Sequence, residues 1–156
     1  MDELTLDYIY MIEVRHSYRI KGFASPAVKY ALYVGHTINL DRRIKAHQSS
    51  RTGRGEMNEF HKMMRVCGYK VYLLDVRVGR CEAGLETRWI SFVHDWCNNW
   101  LYDCYNKAQI VSNYDRTYCE ERWKYRTLYK EVDRHEIVLR GTERNYWQSM
   151  RERQNG

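Results

Sequence analysis

The stretch Tyr30 to His47, Tyr-Ala-Leu-Tyr-Val-Gly-His-Thr-Ile-Asn-Leu-Asp-Arg-Arg-Ile-Lys-Ala-His, constrains the fold more than any other. Small and apolar residues alternate as far as Val34 and suit a short buried strand. Gly35 then allows a backbone shape or a close approach that a Cβ would hinder, and Asn39 is placed to cap a helix starting near Leu40. Leu40, Ile44 and His47 recur at helical spacing, and Arg43 lies one turn before His47 beside that stripe. A cation and an imidazole therefore project together near a buried edge, where a charge usually has a partner.

The flanking segments supply a sheet and further helices. Residues 6–14 are rich in β-branched and aromatic side chains and read as a first strand, with Tyr8, Tyr10 and Ile12 on one face. Arg15 to Lys29 reads as a long basic hairpin loop containing Gly22, Ser25 and Pro26, either a solvated tip or a track for a phosphate backbone through Arg15, His16, Arg19, Lys21 and Lys29. The glycines of residues 48–55 suit a flexible loop carrying Arg51 and Arg54. A helix over about 57–66, with Phe60, Met63 and Met64 inward, stops at Gly68, and Lys70 to Val78 reads as a third strand.

After a turn at Gly79, a helix over about 82–96 carries Leu85, Trp89, Phe92 and Trp96 on its core stripe and Glu86 on its shoulder. Glu82 is the competing carboxylate, expected to be more exposed. From Lys107 onward, Tyr118, Tyr125, Tyr129 and Val132 approximate one helical face, interrupted at Gly141. The expected architecture is α+β: a small three-stranded, mainly antiparallel sheet flanked by helices over 1–108, with a helical extension over 109–156. That extension is expected to pack on the domain, or else to contact DNA or a second copy.

Bulk composition narrows the class of partner. At 156 residues, 44% hydrophobic and with a single proline, the chain suits one folded domain with a tail rather than general disorder. A formal net charge of +6 and a pI near 9.1 favour a polyanionic partner. The 14 tyrosines and 5 tryptophans offer stacking surfaces, although aromatics fill cores as often. The five cysteines, Cys67, Cys81, Cys97, Cys104 and Cys119, include no CxxC pair, and no apolar signal segment precedes them. We expect reduced, buried thiols in a soluble cytoplasmic chain without a zinc knuckle, and no membrane span.

With Tyr8-Ile9-Tyr10 upstream, Tyr33-Val34-Gly35, Asn39-Leu40, Arg43, His47, Glu86 three residues before Trp89-Ile90, and Tyr105-Asn106, the chain resembles the GIY-YIG nuclease family over roughly residues 6–108. It departs at Tyr8, where the family has its first glycine, and in the longer connection between the tripeptides.

The resemblance implies a metal-dependent endonuclease that hydrolyses phosphodiester bonds in DNA, of a restriction-like, phage or mobile-element type. It further implies a single divalent ion, Mg²⁺ or Mn²⁺, on Glu86, with Tyr10 as general base and Arg43 on the scissile phosphate. Tyr33 and His47 would orient water or phosphate, and Asn106 would fix the geometry. Arg42, Lys45, Arg51, Arg54, Lys29 and Arg19 are the expected nucleic-acid contacts, from a monomer or a homodimer. The rival expectations are a catalytically silent, structure-selective DNA-binding protein and an RNA-directed nuclease. Taken singly, each residue has an ordinary reading: Arg43 and His47 as a helix-surface pair, Glu86 as a carboxylate favoured by a helix N-terminus, Asn106 as a turn former.

Overall fold

A computed structural model describes residues 5–18, 21–22, 24–25, 27–50, 56–98, 100–107 and 110–131. In chain order these form β1 (Leu6–Tyr18), β2 (Ala27–Thr37), α1 (Leu40–Ser49), α2 (Glu56–Cys67), β3 (Lys70–Val78), α3 (Leu85–Trp96), β4 (Tyr102–Cys104), α4 (Arg116–Trp123), β5 (Thr127–Leu128) and a 3₁₀ turn (Tyr129–Glu131). The class is α+β.

The sheet has five strands in the order β4-β2-β1-β3-β5, not the three expected, and it is mixed because β4 runs parallel to β2. The two added strands are three and two residues long. Segments that short carry no readable alternation; only the edge they pair with makes them strands.

Strand β1 is central and covered on both faces. Leu6, Tyr8, Tyr10, Ile12 and Val14 join one core with Leu40 of α1 and Phe60 and Met64 of α2. Ile9 and Met11 join another with Leu85, Trp89, Phe92 and Val93 of α3 and Cys119 and Trp123 of α4. Burial on two sides explains why β1 reads as a nearly unbroken apolar run, since side chains of both parities leave water.

Against β3 the register shifts between Ile9 and Tyr10. As a result Leu73 and Val76, an odd number of residues apart, share the first core while Leu74 enters the second. The residue between, Asp75, is fully buried. Its carboxylate accepts from Arg77 Nη1 at 2.7 Å, Trp89 Nε1 at 2.8 Å and Tyr118 Oη at 2.7 Å. Three side-chain donors meet the cost of taking that charge out of water. Arg77 also holds Glu82 by two bonds, at 2.9 and 3.0 Å, so the carboxylate weighed against Glu86 is committed to an ion pair.

The long hairpin loop expected over Arg15 to Lys29 is shorter. Both strands run on as a ladder in which Arg15 pairs Tyr30, His16 pairs Lys29 and Tyr18 pairs Ala27. Backbone pairing continues past the last buried residue because a ladder needs paired amides, not apolar side chains. Toward the C-terminus, Tyr118, Tyr125 and Tyr129 do not share one helical face. Helix α4, capped by the Asp115 side chain, ends at Trp123, and the chain turns so that Thr127 and Leu128 pair with Leu73 and Tyr72 of β3. Tyr118 packs against the second core, Tyr125 and Tyr129 against the first. Val132 and Gly141 lie outside the described residues.

Cys97, Cys104 and Cys119 are buried as expected, whereas Cys81 is half-buried and Cys67 exposed; all five are free thiols. Among the described residues no helix is long and apolar enough to cross a membrane.

Candidate functional site

The site is assembled where β2 hands over to α1. Gly35 of β2 lies opposite Tyr10 of β1 in the antiparallel ladder, and the Tyr10 ring crosses directly over it. A Cβ at Gly35 would overlap the phenol oxygen and two ring carbons. Gly35 does not adopt a positive φ, so of the two reasons for a glycine here, close approach is the operative one.

Helix α1 begins at Leu40 with the Asn39 side chain accepting from the Arg42 N–H at 3.2 Å. That cap sets the helix phase so that Leu40 and His47 are buried and Arg43 stays at the surface.

The buried phenol and imidazole meet. Tyr10 Oη lies 2.8 Å from His47 Nε2, and His47 Nδ1 lies 2.9 Å from His61 Nε2 of α2. The three side chains form a continuous hydrogen-bonded line in which every link has one proton to share, and it can run from either end according to the tautomers. Tyr33 packs edge-on against His47, with ring centroids 5.1 Å apart.

Burial first, then the neighbouring His61 and Arg43, push His47 down to about 4. Burial likewise raises both phenols, Tyr10 the more strongly, while Arg43 opposes that rise by charge and hydrogen bonding. Arg43 is itself raised, chiefly by hydrogen bonding with Tyr10. At neutral pH the pocket thus holds two neutral phenols and a neutral imidazole beneath an exposed guanidinium.

Glu86 approaches from the opposite layer. It sits in the first turn of α3, where the helix dipole favours a carboxylate, and is about one-third exposed. It raises the pKa of both phenols through its charge. Its Oε2 lies 3.5 Å from His36 Nδ1, at the end of β2. Asn106 stands on the other side of β2. Its Oδ1 accepts from Val34 N–H at 2.8 Å and its Nδ2 donates to Val34 C=O at 2.9 Å. It therefore clamps the backbone between Tyr33 and Gly35.

Of the residues expected to line the site, Tyr10, Tyr33, Arg43 and His47 come into contact, Glu86 acts on the two phenols through its charge while its side chain contacts His36, and Asn106 acts one layer behind on the strand. Arg42 and Lys45 are exposed on α1 and Lys29 is half-buried in β2, whereas Arg19, Arg51 and Arg54 lie outside the described residues. Three groups went unread in the sequence: Asp7, His36 and His61. His61 was legible, since Met57, His61 and Met64 continue an inward stripe at helical spacing. Asp7 and His36 carried no such signal, because they pair across two strands. Arg65 of α2 also joins here, donating to the Ser50 carbonyl at 2.7 Å and closing a basic groove with Lys45, Gln48 and Ser49.

The histidine line makes stability sensitive to acid. An unfolded histidine titrates near 6.5, so between that value and about 4 the unfolded chain binds the proton that folded His47 refuses. The contribution is complete above pH 6.5 and is lost as pH falls toward 4, on the order of 3 kcal/mol. Thermal melts between about pH 7.5 and about pH 4.5 should show this loss, and His47→Gln should flatten it. An unchanged pH slope in that variant would remove His47 as the cause.

No protein-family model, no curated protein and no solved structure matches this chain.

Proposed function

We propose that the chain is a metal-dependent DNA endonuclease of the GIY-YIG type. The observation that supports this most is the convergence of Tyr10, Tyr33, Arg43 and His47 on one pocket, with the Tyr10–His47 bond at 2.8 Å and Glu86 near enough for its charge to raise the phenols. Phosphodiester hydrolysis needs a water relieved of its proton, charge opposite the phosphoryl oxygens and help for the leaving oxygen.

Arg43 is exposed and, among the described residues, pairs with no carboxylate, so its guanidinium is available to grip the scissile phosphate. Tyr10 is too buried to exist as a phenolate at rest. It serves as a base by exchange: its oxygen accepts the proton of the attacking water while its own proton passes to His47 Nε2. A bound phosphate strengthens that acceptor, because its negative charge offsets the Arg43 charge that helps to depress His47. Tyr33, edge-on to His47, holds the imidazole in line, and Asn106 holds the strand that carries Tyr33.

Glu86 fits an Mg²⁺ or Mn²⁺ ion: it is a partly exposed carboxylate whose contact among the described residues is a long one to His36, and Mg²⁺ takes one or two carboxylates and keeps its remaining waters. When bound, such an ion supplies Lewis-acid charge to a phosphate oxygen. The net charge of +6 and the exposed Arg42 and Lys45 of α1 and Arg65 of α2 suit a nucleic-acid backbone.

Supercoiled plasmid and duplex RNA incubated with the chain, with Mg²⁺ or with chelator, test the reading. Nicked or linear plasmid is expected with Mg²⁺ alone, and intact RNA. Cleavage confined to RNA would change the substrate class, and cleavage of neither in Mg²⁺ or Mn²⁺ would end the enzyme reading.

A further inference from the structure

Next to the pocket, three residues from three separate elements bring an oxygen, a nitrogen and a sulfur together. We propose that Asp7 of β1, His36 of β2 and Cys81 of the β3–α3 turn form a second cation site, for a thiophilic divalent ion of the Zn²⁺ class, separate from the oxygen-rich position at Glu86. One ligand atom from each lies within 4.8 Å of the others.

The arrangement around Asp7 sets this apart from a chance surface cluster. Asp7 is only 2% exposed. Its Oδ2 accepts the Cys81 backbone N–H at 2.7 Å, which fixes the carboxylate. Its Oδ1 is buried and makes no hydrogen bond of good geometry, although His36 Nε2 approaches to 2.6 Å. A buried carboxylate oxygen set against an imidazole nitrogen and a thiol is costly unless a proton on the imidazole or a bound cation supplies positive charge there. The Cys81 thiol also donates to the Asp7 main-chain carbonyl at 3.7 Å, which holds it beside Asp7.

The donor set selects the ion. Carboxylate, imidazole and thiolate together suit Zn²⁺, whereas Mg²⁺ prefers oxygen throughout. Around a tetrahedral Zn²⁺ the donor atoms stand roughly 3.3–3.8 Å apart, so binding requires adjustments on the order of 1 Å. Binding releases the Cys81 thiol proton and any proton shared by Asp7 and His36, leaving thiolate, neutral imidazole and carboxylate on the ion. His36 and Cys81 are partly exposed, which leaves the fourth position to water.

The site also reaches the proposed active centre. With Nε2 on the ion, the His36 Nδ1–H is directed at Glu86 Oε2, now 3.5 Å away. Ligating histidines commonly donate their other ring N–H to a carboxylate in this way. An ion at Asp7–His36–Cys81 would thereby orient Glu86. That consequence rests on the nuclease reading, whereas the ion binding does not.

The test uses the full chain, stripped of metal and free of DNA and Mg²⁺. Titration with Co²⁺ should give thiolate-to-cobalt charge transfer saturating at one ion per chain, and Zn²⁺ should displace it. Cys81→Ser should abolish the charge-transfer band, and His36→Gln should weaken binding about 10- to 100-fold. Cys67→Ser, at the exposed cysteine outside the cluster, should change nothing. In the unmutated chain, Zn²⁺ should shield Cys81 from alkylation and leave Cys67 reactive, a readout that needs no variant to fold. Absence of charge transfer, or a band that survives Cys81→Ser, would reduce the cluster to an Asp7–His36 ion pair. Both outcomes are read without any cleavage assay, so they stand apart from success or failure of the nuclease.

Discussion

Arg43→Ala is expected to lower the DNA cleavage rate by about 10²- to 10³-fold while leaving the melting temperature near that of the unchanged chain. Arg43 is exposed on α1 and belongs to neither core, so truncating it opens no cavity. Its loss removes a cation hydrogen-bonded to both phenols, and removing a single donor aimed at developing charge costs about 2.7–4 kcal/mol of barrier in comparable sites.

A second signature separates this role from a general weakening of DNA binding. Because the Arg43 charge helps to hold His47 down, its removal should move the acid limb of the pH–rate profile upward. Glu86→Gln should match the loss of rate, restored in part by higher Mg²⁺ or Mn²⁺, without that shift of the acid limb. Cleavage persisting within tenfold in both variants, measured on plasmid under saturating Mg²⁺, would mean the chemistry resides elsewhere.

Gly35→Ala should destabilise the sheet, since among the described glycines Gly35 is the one where a Cβ would meet other atoms. The added Cβ would occupy the space of the Tyr10 phenol, and both residues are buried on strands paired to each other, with β1 paired to β3 on its other edge. Overpacking of this kind costs about 1–3 kcal/mol, which for a chain of this size lowers the melting temperature by roughly 2–12 °C. Displacing the phenol also breaks its bond to His47, so activity should fall further than stability. Tyr10→Leu in the same chain removes the atoms that collide. The two changes should then be less costly together than the sum of each alone, by an amount on the order of 1 kcal/mol in a double-mutant cycle of thermal or denaturant unfolding, with activity still absent. A Gly35→Ala chain that melts with the unchanged protein would show that the strand relaxes there, and the close-approach account of Gly35 would be abandoned.

Much of this architecture was legible because it depends on near neighbours in the chain. The span of β3, the Asn39 cap, the stop of α2 at Gly68 and the buried face of α3 follow from alternation, capping chemistry and helical spacing, which act over a few residues. Helical spacing put Arg43 and His47 together at the edge of α1, whereas Tyr10 and Tyr33 were singled out by the resemblance to the GIY-YIG nucleases, since alternation alone makes them ordinary half-buried strand tyrosines. Glu86 was placed on the shoulder of its helix by the same spacing, but not its contact with His36.

Where partners are distant, the chain alone was silent. His61 reaches His47 only because α2 packs beside α1, and β4 and β5 are strands only because β2 and β3 offer them an edge. Asp75 is tolerated as a buried charge only because donors from β3, α3 and α4 surround it. Asp7, His36 and Cys81 become a candidate site only through the cross-strand ladder and the turn after β3. Sequence by itself determined the local geometry and the phase of each element, since those energies are set within one or two turns of chain. Tertiary structure decided which polar groups were left facing one another, since desolvation and pairing depend on what the rest of the fold brings alongside.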